Sequence, residues 1–264
     1  MKVFIFIFCV FLAAPAHSAV PYVLERAFKN CLDRRFSEKE FKQFYHTLDS
    51  LEHFSVNFSE FKSYKIYSDN IGKLLNSTNY YQKGIAYRLV ASLDDKEYNG
   101  LLLERMNAED NKFLKTLNVA AIMKLLPSQT TIAFDYLVDM SDFSSSPLLP
   151  LYLSMNEQSI IRTGYERIHD KRPRAKVFAL QTLARFDTNK KVESLIVQAL
   201  KEWEAGIKGY AVVALGVYKK GGYKDILVPY LKEPQLREVI IETLEHSESN
   251  ADVIYAEELK RKRR

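Results

Sequence analysis

Cysteine is nearly absent from this chain. Its 264 residues contain two, and Cys9 falls inside an apolar N-terminal run, which leaves Cys31 alone beyond it. With one thiol no intramolecular disulfide can form, so stability must come from packing. Cys31 is expected as a small apolar residue buried on the first helix, the other option being a bridge between chains. The motifs that announce common chemistries are missing as well: no Gly-rich phosphate loop, no Cys-x-x-Cys, no His-Glu-x-x-His and no Gly-x-Ser-x-Gly occurs. Convincing strand alternation is lacking, and helical periodicity runs throughout. Nor does one sign of charge dominate. Thirty-eight Lys and Arg oppose 33 Asp and Glu for a formal charge of +5, one less without Lys2, and the signs interleave along nearly every expected helix. Such a surface is mildly basic and well solvated.

The one long apolar run reads as a secretory signal peptide over residues 1–18. Lys2 supplies the positive start, Val3 to Ala14 the apolar stretch, and Ala16-His17-Ser18 the small residues of a cleavage site after Ser18 or Ala19. The rival is a membrane anchor, but a span needs roughly 20 apolar residues and this run stops at Pro15. Small residues do not precede Cys9 as they would a lipidated cysteine. The expected product is soluble, periplasmic or secreted, with no transmembrane segment after cleavage and about 245 residues to build a sizeable core.

Residues 19–78 are dense in aromatics and read as a helical N-terminal cap. Ser37-Glu38-Lys39-Glu40 fits a capping box, with the Ser37 hydroxyl accepting from the third helical amide and Glu40 reaching back. Phe41, Phe44, Tyr45, Leu48 and Leu51 then recur at three- and four-residue steps, a buried stripe. Phe54, Phe58, Phe61 and Tyr64 continue it.

Residues 79–260 read as about six helical hairpins, with a basic tail at 261–264. The expected pairs are Tyr80–Leu93 with Glu97–Met106, Asn111–Leu126 with Thr131–Met140, and a weaker unit over Pro147–His169. In that weaker unit, Ser144 to Pro147 and Pro150 mark a candidate hinge. Pro173–Phe186 then pairs with Lys190–Trp203, Ala205–Lys219 with Tyr223–Lys232, and Gln235–Glu245 with Asn250–Arg261. Ala179 and Leu183 are matched 32 residues later by Ala211 and Leu215, and Leu195-Ile196 by Leu227-Val228 at the same offset. Self-similarity at such a period marks units that cannot bury their own apolar faces and must stack on neighbours.

The segments Arg174 to Ala184 and Gly209 to Gly216 resemble the first helices of short bacterial HEAT-like repeats of the PBS-lyase type, clearest over residues 173–244. A small residue is followed four positions later by leucine and then by Ala184 or Gly216, which lets neighbouring helices approach. The resemblance implies an all-α fold, a right-handed α-solenoid closed at one end by the aromatic cap. It also implies that the second helix of each pair lines a concave face, which makes Lys191, Gln198, Trp203, Tyr223 and Lys224 the candidate partner-binding residues. Large rigid aromatics and cations are effective anchors there, while packing across the repeat junction is the other role open to Trp203 and Tyr223.

No catalytic, cofactor-binding or metal site is expected. His46, Asp49 and His53 share a helix side, but three ligands on one straight helix seldom converge on one ion. Asp94, Asp95 and Asp187 fall at helix junctions, where capping is the expected role, and Gly221-Gly222 suits a helix C-terminus. The tail from Lys260 to Arg264 suits a helix end complementing the macrodipole, the other reading being a basic run that touches phosphates or anionic lipid. Together these point to an exported non-enzymatic protein-protein interaction module. Two roles fit, an envelope scaffold or assembly factor and an immunity-type protein that neutralises a toxin. The alternative is a nucleic-acid-binding enzyme of the DNA glycosylase type, suggested by Arg162, Arg167, Lys171, Arg172, Arg174 and Lys176. Interrupting acidic residues and export weigh against it.

Overall fold

The computed structural model describes residues 16–33, 35–53, 59–140 and 146–262. Most of the expected signal peptide, Phe54, Phe58 and the end of the basic tail lie outside them. All regular structure among the described residues is helical. Two compact units divide at Pro127/Ser128, between the two helices that the sequence pattern pairs as Asn111–Leu126 and Thr131–Met140.

The first unit contains α1 (Ala16–Cys31), α2 (Glu38–His53), a 3-10 turn (Ser59–Ser63), α3 (Lys65–Ser68), α4 (Ile71–Leu75), α5 (Tyr80–Ser92), a 3-10 turn (Lys96–Tyr98), α6 (Asn99–Ala108) and α7 (Lys112–Leu125). Its centre is α5, buried on almost every side and packed on α2, α4 and α7. A helix without a polar face belongs inside. Gly84 is what permits this crowding, since a Cβ there would stand 3.0 Å from Leu117 and 3.2 Å from Phe41. The α2 stripe is buried as its spacing predicts, with Tyr45 half-exposed. Phe61 is buried edge-on against Phe28, ring centroids 5.7 Å apart. Cys31 is buried and free, and burial pushes its thiol pKa far up.

Polar side chains stitch this core. Gln82 donates to the carbonyls of Cys31 (2.7 Å) and Asp33 (2.9 Å). Half of the expected capping box forms: Glu40 accepts from the Ser37 amide at 2.7 Å, but the Ser37 hydroxyl donates to the same carboxylate instead of accepting from a helical amide. Asp95 also departs from expectation. It makes no cap hydrogen bond and instead accepts from the Tyr67 hydroxyl at 2.8 Å, with Lys62 at 3.3 Å.

The second unit contains α8 (Thr130–Asp139), α9 (Leu148–Leu153), α10 (Glu157–Arg167), α11 (Pro173–Phe186), α12 (Lys190–Glu202), α13 (Ala205–Lys219), α14 (Lys224–Leu227), a 3-10 turn (Val228–Lys232), α15 (Pro234–Glu245) and α16 (Asn250–Arg261). Helices α10, α11, α13 and α15 pack each on the next, while α12 lies against α11 and α13, and α16 against α15. Small residues sit where these helices approach. A Cβ on Gly164 would stand 2.8 Å from Leu183, and one on Gly216 would stand 2.8 Å from Thr243 Cγ2. Ala179, Leu183, Ala211 and Leu215 are all buried, so the first part of the 32-residue match falls on core positions; in the second part Ile196 and Leu227 are buried but Leu195 is half-buried and Val228 is exposed.

Three local expectations are corrected here. Tyr223–Lys232 is a single turn of α-helix followed by a 3-10 turn, because Pro229 has no amide to continue the α-helical ladder. Helix α13 ends on Lys220, in the left-handed conformation at φ 60°, rather than on a glycine. Gly222 is itself left-handed (φ 72°), whereas Gly221 is required by close approach, since a Cβ would lie 2.9 Å from the Ser249 amide nitrogen. Asp187 does not cap a helix start; it accepts from the Asn189 amide (2.9 Å) and the Tyr165 hydroxyl (2.7 Å). Asparagines cap instead, with Asn79, Asn111, Asn156 and Asn189 accepting from first-turn amides of α5, α7, α10 and α12. That role follows from the short amide side chain.

Candidate interaction surface on the second unit

Helix α12 runs from the Asn189 cap to Trp203, where the chain turns extended. Its apolar side, Val192, Ile196, Ala199 and Leu200, is buried against α11 and α13. That leaves Lys190, Ser194, Gln198, Lys201 and Glu202 exposed on the opposite side, an open helix face that no other element walls in. A small hollow of about 200 Å³ lies where the end of α10 and the first turn of α11 meet the end of α12. Ile168, His169 and Lys176 form one wall; Leu195, Gln198, Ala199, Glu202 and Trp203 form the other.

The fold therefore brings two of the five candidate residues, Gln198 and Trp203, to one site. Gln198 donates to Glu202 at 2.9 Å along the helix, and Trp203 is half-buried. Lys191 is exposed on the same helix, its ammonium 4.5 Å above the Tyr165 ring. Partial burial, and next the bond to Asp187, push the Tyr165 hydroxyl up to about 12.

Tyr223 and Lys224 belong elsewhere. Tyr223 is 1% exposed and its hydroxyl donates to the Thr243 carbonyl at 2.7 Å, so it is a core residue between α13 and α15 and not a surface anchor. The aromatic character that singles it out in the sequence is spent on packing. Lys224 is half-buried, with its ammonium 4.8 Å from the Tyr255 ring. Both are organised by Asp252, a buried carboxylate on α16. Asp252 accepts from the amides of Gly222 (2.7 Å), Tyr223 (3.3 Å) and Lys224 (3.2 Å) and from the Ser247 hydroxyl (2.7 Å).

Half of the basic stretch from Arg162 to Lys176 is committed within the unit, through Arg167, Arg172 and Arg174. Arg167 bonds Asp135 at 2.6 Å. Arg172 reaches Asp135 (2.6 Å), Asp170 (2.9 Å) and Asp139 (3.1 Å), and Arg174 donates to the Met140 carbonyl at 3.0 Å. The Arg172 guanidinium holds the Asp170 carboxyl down at about 2. His46 and His53 are exposed, and Asp49 is paired with Arg88 at 2.9 Å. Among the described residues no group of three or more His, Cys, Asp and Glu could hold a metal ion, and no helix is long and apolar enough to cross a membrane.

Sequence reasoning singled out Gln198 and Trp203 on one wall of the small hollow and missed Glu202 beside them and His169 opposite. Lys176 was visible only as one cation in a basic run, because nothing in its spacing tells it apart from Arg167 and Arg172, which form ion pairs. Family models, curated proteins and solved structures offer no match to this chain, so its own residues and their geometry carry the functional reading.

Proposed function

We propose that this protein is an exported, non-enzymatic protein-protein interaction module, built as a right-handed HEAT-like solenoid whose second helices line the contact surface. It acts in the periplasm or outside the cell, either as an envelope scaffold or assembly factor or as an immunity-type protein that neutralises a toxin. The observation that carries the reading is the outward side of α12, where an open face of exposed polar side chains runs into a small hollow bordered by the half-buried Trp203. A rigid aromatic beside adaptable amide and charged groups is the composition of a contact surface. The pairing of Arg167 and Arg172 with aspartates argues against the glycosylase-type alternative, which needs unpaired cations to meet phosphates.

The test is affinity capture from envelope extract with the mature chain as bait, followed by crosslinking of the retained protein. Crosslinks to Lys190, Lys191 or Lys201 support the reading. A partner crosslinked only to the first unit would place the surface elsewhere, and the absence of any retained protein under gentle conditions would refute the module.

A further inference from the structure

We propose that the small hollow at the α10–α11–α12 junction is an anchor pocket for an acidic side chain, aspartate or glutamate, next to an apolar residue on an extended segment of the partner. The inference rests on the interaction-module reading and specifies the chemistry of its partner.

The hollow, about 200 Å³, has room for an acidic side chain together with part of the apolar residue beside it, the scale at which interface anchors are received. Charge decides which one. Four lysines of the second unit are half-buried, namely Lys176, Lys208, Lys219 and Lys224. Lys208 is met by Glu233 at 3.0 Å, Lys219 by Glu193 at 2.9 Å, and Lys224 by the Tyr255 ring. Lys176 alone has no carboxylate within 4 Å and no ring beneath it among the described residues. A partly desolvated ammonium without a counter-charge favours an incoming carboxylate.

His169 stands exposed on the same wall as a second donor. The opposing carboxylate, Glu202, lies on the exposed rim and already accepts from Gln198 at 2.9 Å, so the enclosed, unsatisfied charge is the cation. Ile168, Leu195 and Trp203 supply apolar surface for the neighbouring residue. A chain-terminal carboxylate fits less well, because it is usually held by backbone amides. Here Pro173 has none to offer, and the Ala175 and Lys176 amides are already given to the Arg172 carbonyl at 3.1 and 3.2 Å, which leaves only the Arg174 amide in the first turn.

Trp203 is the only tryptophan, so its fluorescence and indole N–H resonance report occupancy directly. The probe is a peptide blocked at both ends and carrying leucine, glutamate and aspartate in succession, titrated at low salt against the whole chain. Saturable changes at Trp203 are expected, and none with the glutamine-asparagine counterpart. Lys176→Glu should weaken binding about tenfold or more, Lys176→Gln by less, and Glu202→Gln should tighten it by removing like-charge repulsion, all with unchanged circular dichroism and melting temperature.

Three results would overturn the anchor: no saturable change with the acidic peptide, unchanged affinity in Lys176→Glu, or weakening by Glu202→Gln together with preference for a basic peptide. A captured protein that binds wild type and Lys176→Glu equally also overturns it, while leaving the interaction module standing. Saturable acidic-peptide binding with no protein captured supports the anchor chemistry and refutes the module.

Discussion

Asp252 offers the sharpest test of how the second unit is held together. Its side chain is 1% exposed and accepts four hydrogen bonds, three of them from consecutive amides at the start of α14. Replacing it with alanine strands those amides and the Ser247 hydroxyl. A bond to a charged group contributes roughly 1.5–3 kcal/mol, and an unmet buried donor costs about 1–3 kcal/mol. Four bonds taken at face value overstate the loss, since Ser247 is half-buried and Gly222 exposed and water can reach them. The two most enclosed donors, the amides of Tyr223 and Lys224, set a realistic figure of about 3–4 kcal/mol. For a chain of this size that lowers the melting temperature by on the order of 6–15 °C. Asp252→Asn keeps one carbonyl acceptor but turns an amide towards donors, so it should lose about half as much. Hydrogen exchange adds spatial resolution: the amides from 222 to 224 and the turn at Glu248, which donates to Lys220 at 2.7 Å, should exchange faster, while α5 should not change. If Asp252→Ala melts within about 1 °C of wild type, the network is solvated and the account of this junction is wrong.

Tyr223→Ala should destabilise by about 3–5 kcal/mol as a large-to-small core change, whereas Trp203→Ala should cost much less and act on partner affinity; equal melting of the two variants contradicts their different burial. Leu215→Asp, which places an unpaired charge at a fully buried position, should cost several kcal/mol in chemical denaturation, with Lys201→Ser as a near-neutral surface control. The Asp170 carboxyl is held at about 2 by Arg172, below its unfolded value of about 3.9. Its contribution is therefore present above about pH 4 and lost as pH falls through 2. Asp170→Asn should flatten the fall in stability over that window, and an unchanged acid limb would refute the linkage. If residues 1–18 are a cleaved signal peptide, mass spectrometry of the protein recovered from the envelope should find an N-terminus at Ala19 or Val20, and retention of Met1 with tight membrane association would support an anchor instead.

The helical period alone determined most of the elements. Pro173–Phe186, Ala205–Lys219 and Asn250–Arg261 coincide with their expected bounds, because caps, prolines and three- to four-residue apolar steps act within one or two turns of chain. The buried aromatic stripe on α2 and the inert Cys31 were legible for the same reason. The 32-residue match located core positions at Ala179, Leu183, Ala211 and Leu215, since a repeated unit buries equivalent side chains, but not at Leu195, nor at Val228, where the second helix gives way to a 3-10 turn.

What only the tertiary structure decided depends on contacts between distant residues. Tyr223 and Trp203 look alike as aromatics at helix ends, but α15 and α16 close over the first and leave the second half-open, a difference no local pattern encodes. Six cations of one basic run were equivalent in sequence until Asp135, Asp139 and Asp170 reached Arg167 and Arg172, and packing left Lys176 half-buried at the small hollow while Arg162, Lys171 and Arg174 stayed exposed. Period and propensity are properties of a few neighbouring residues, while burial and ion pairing are settled by which helices pack together.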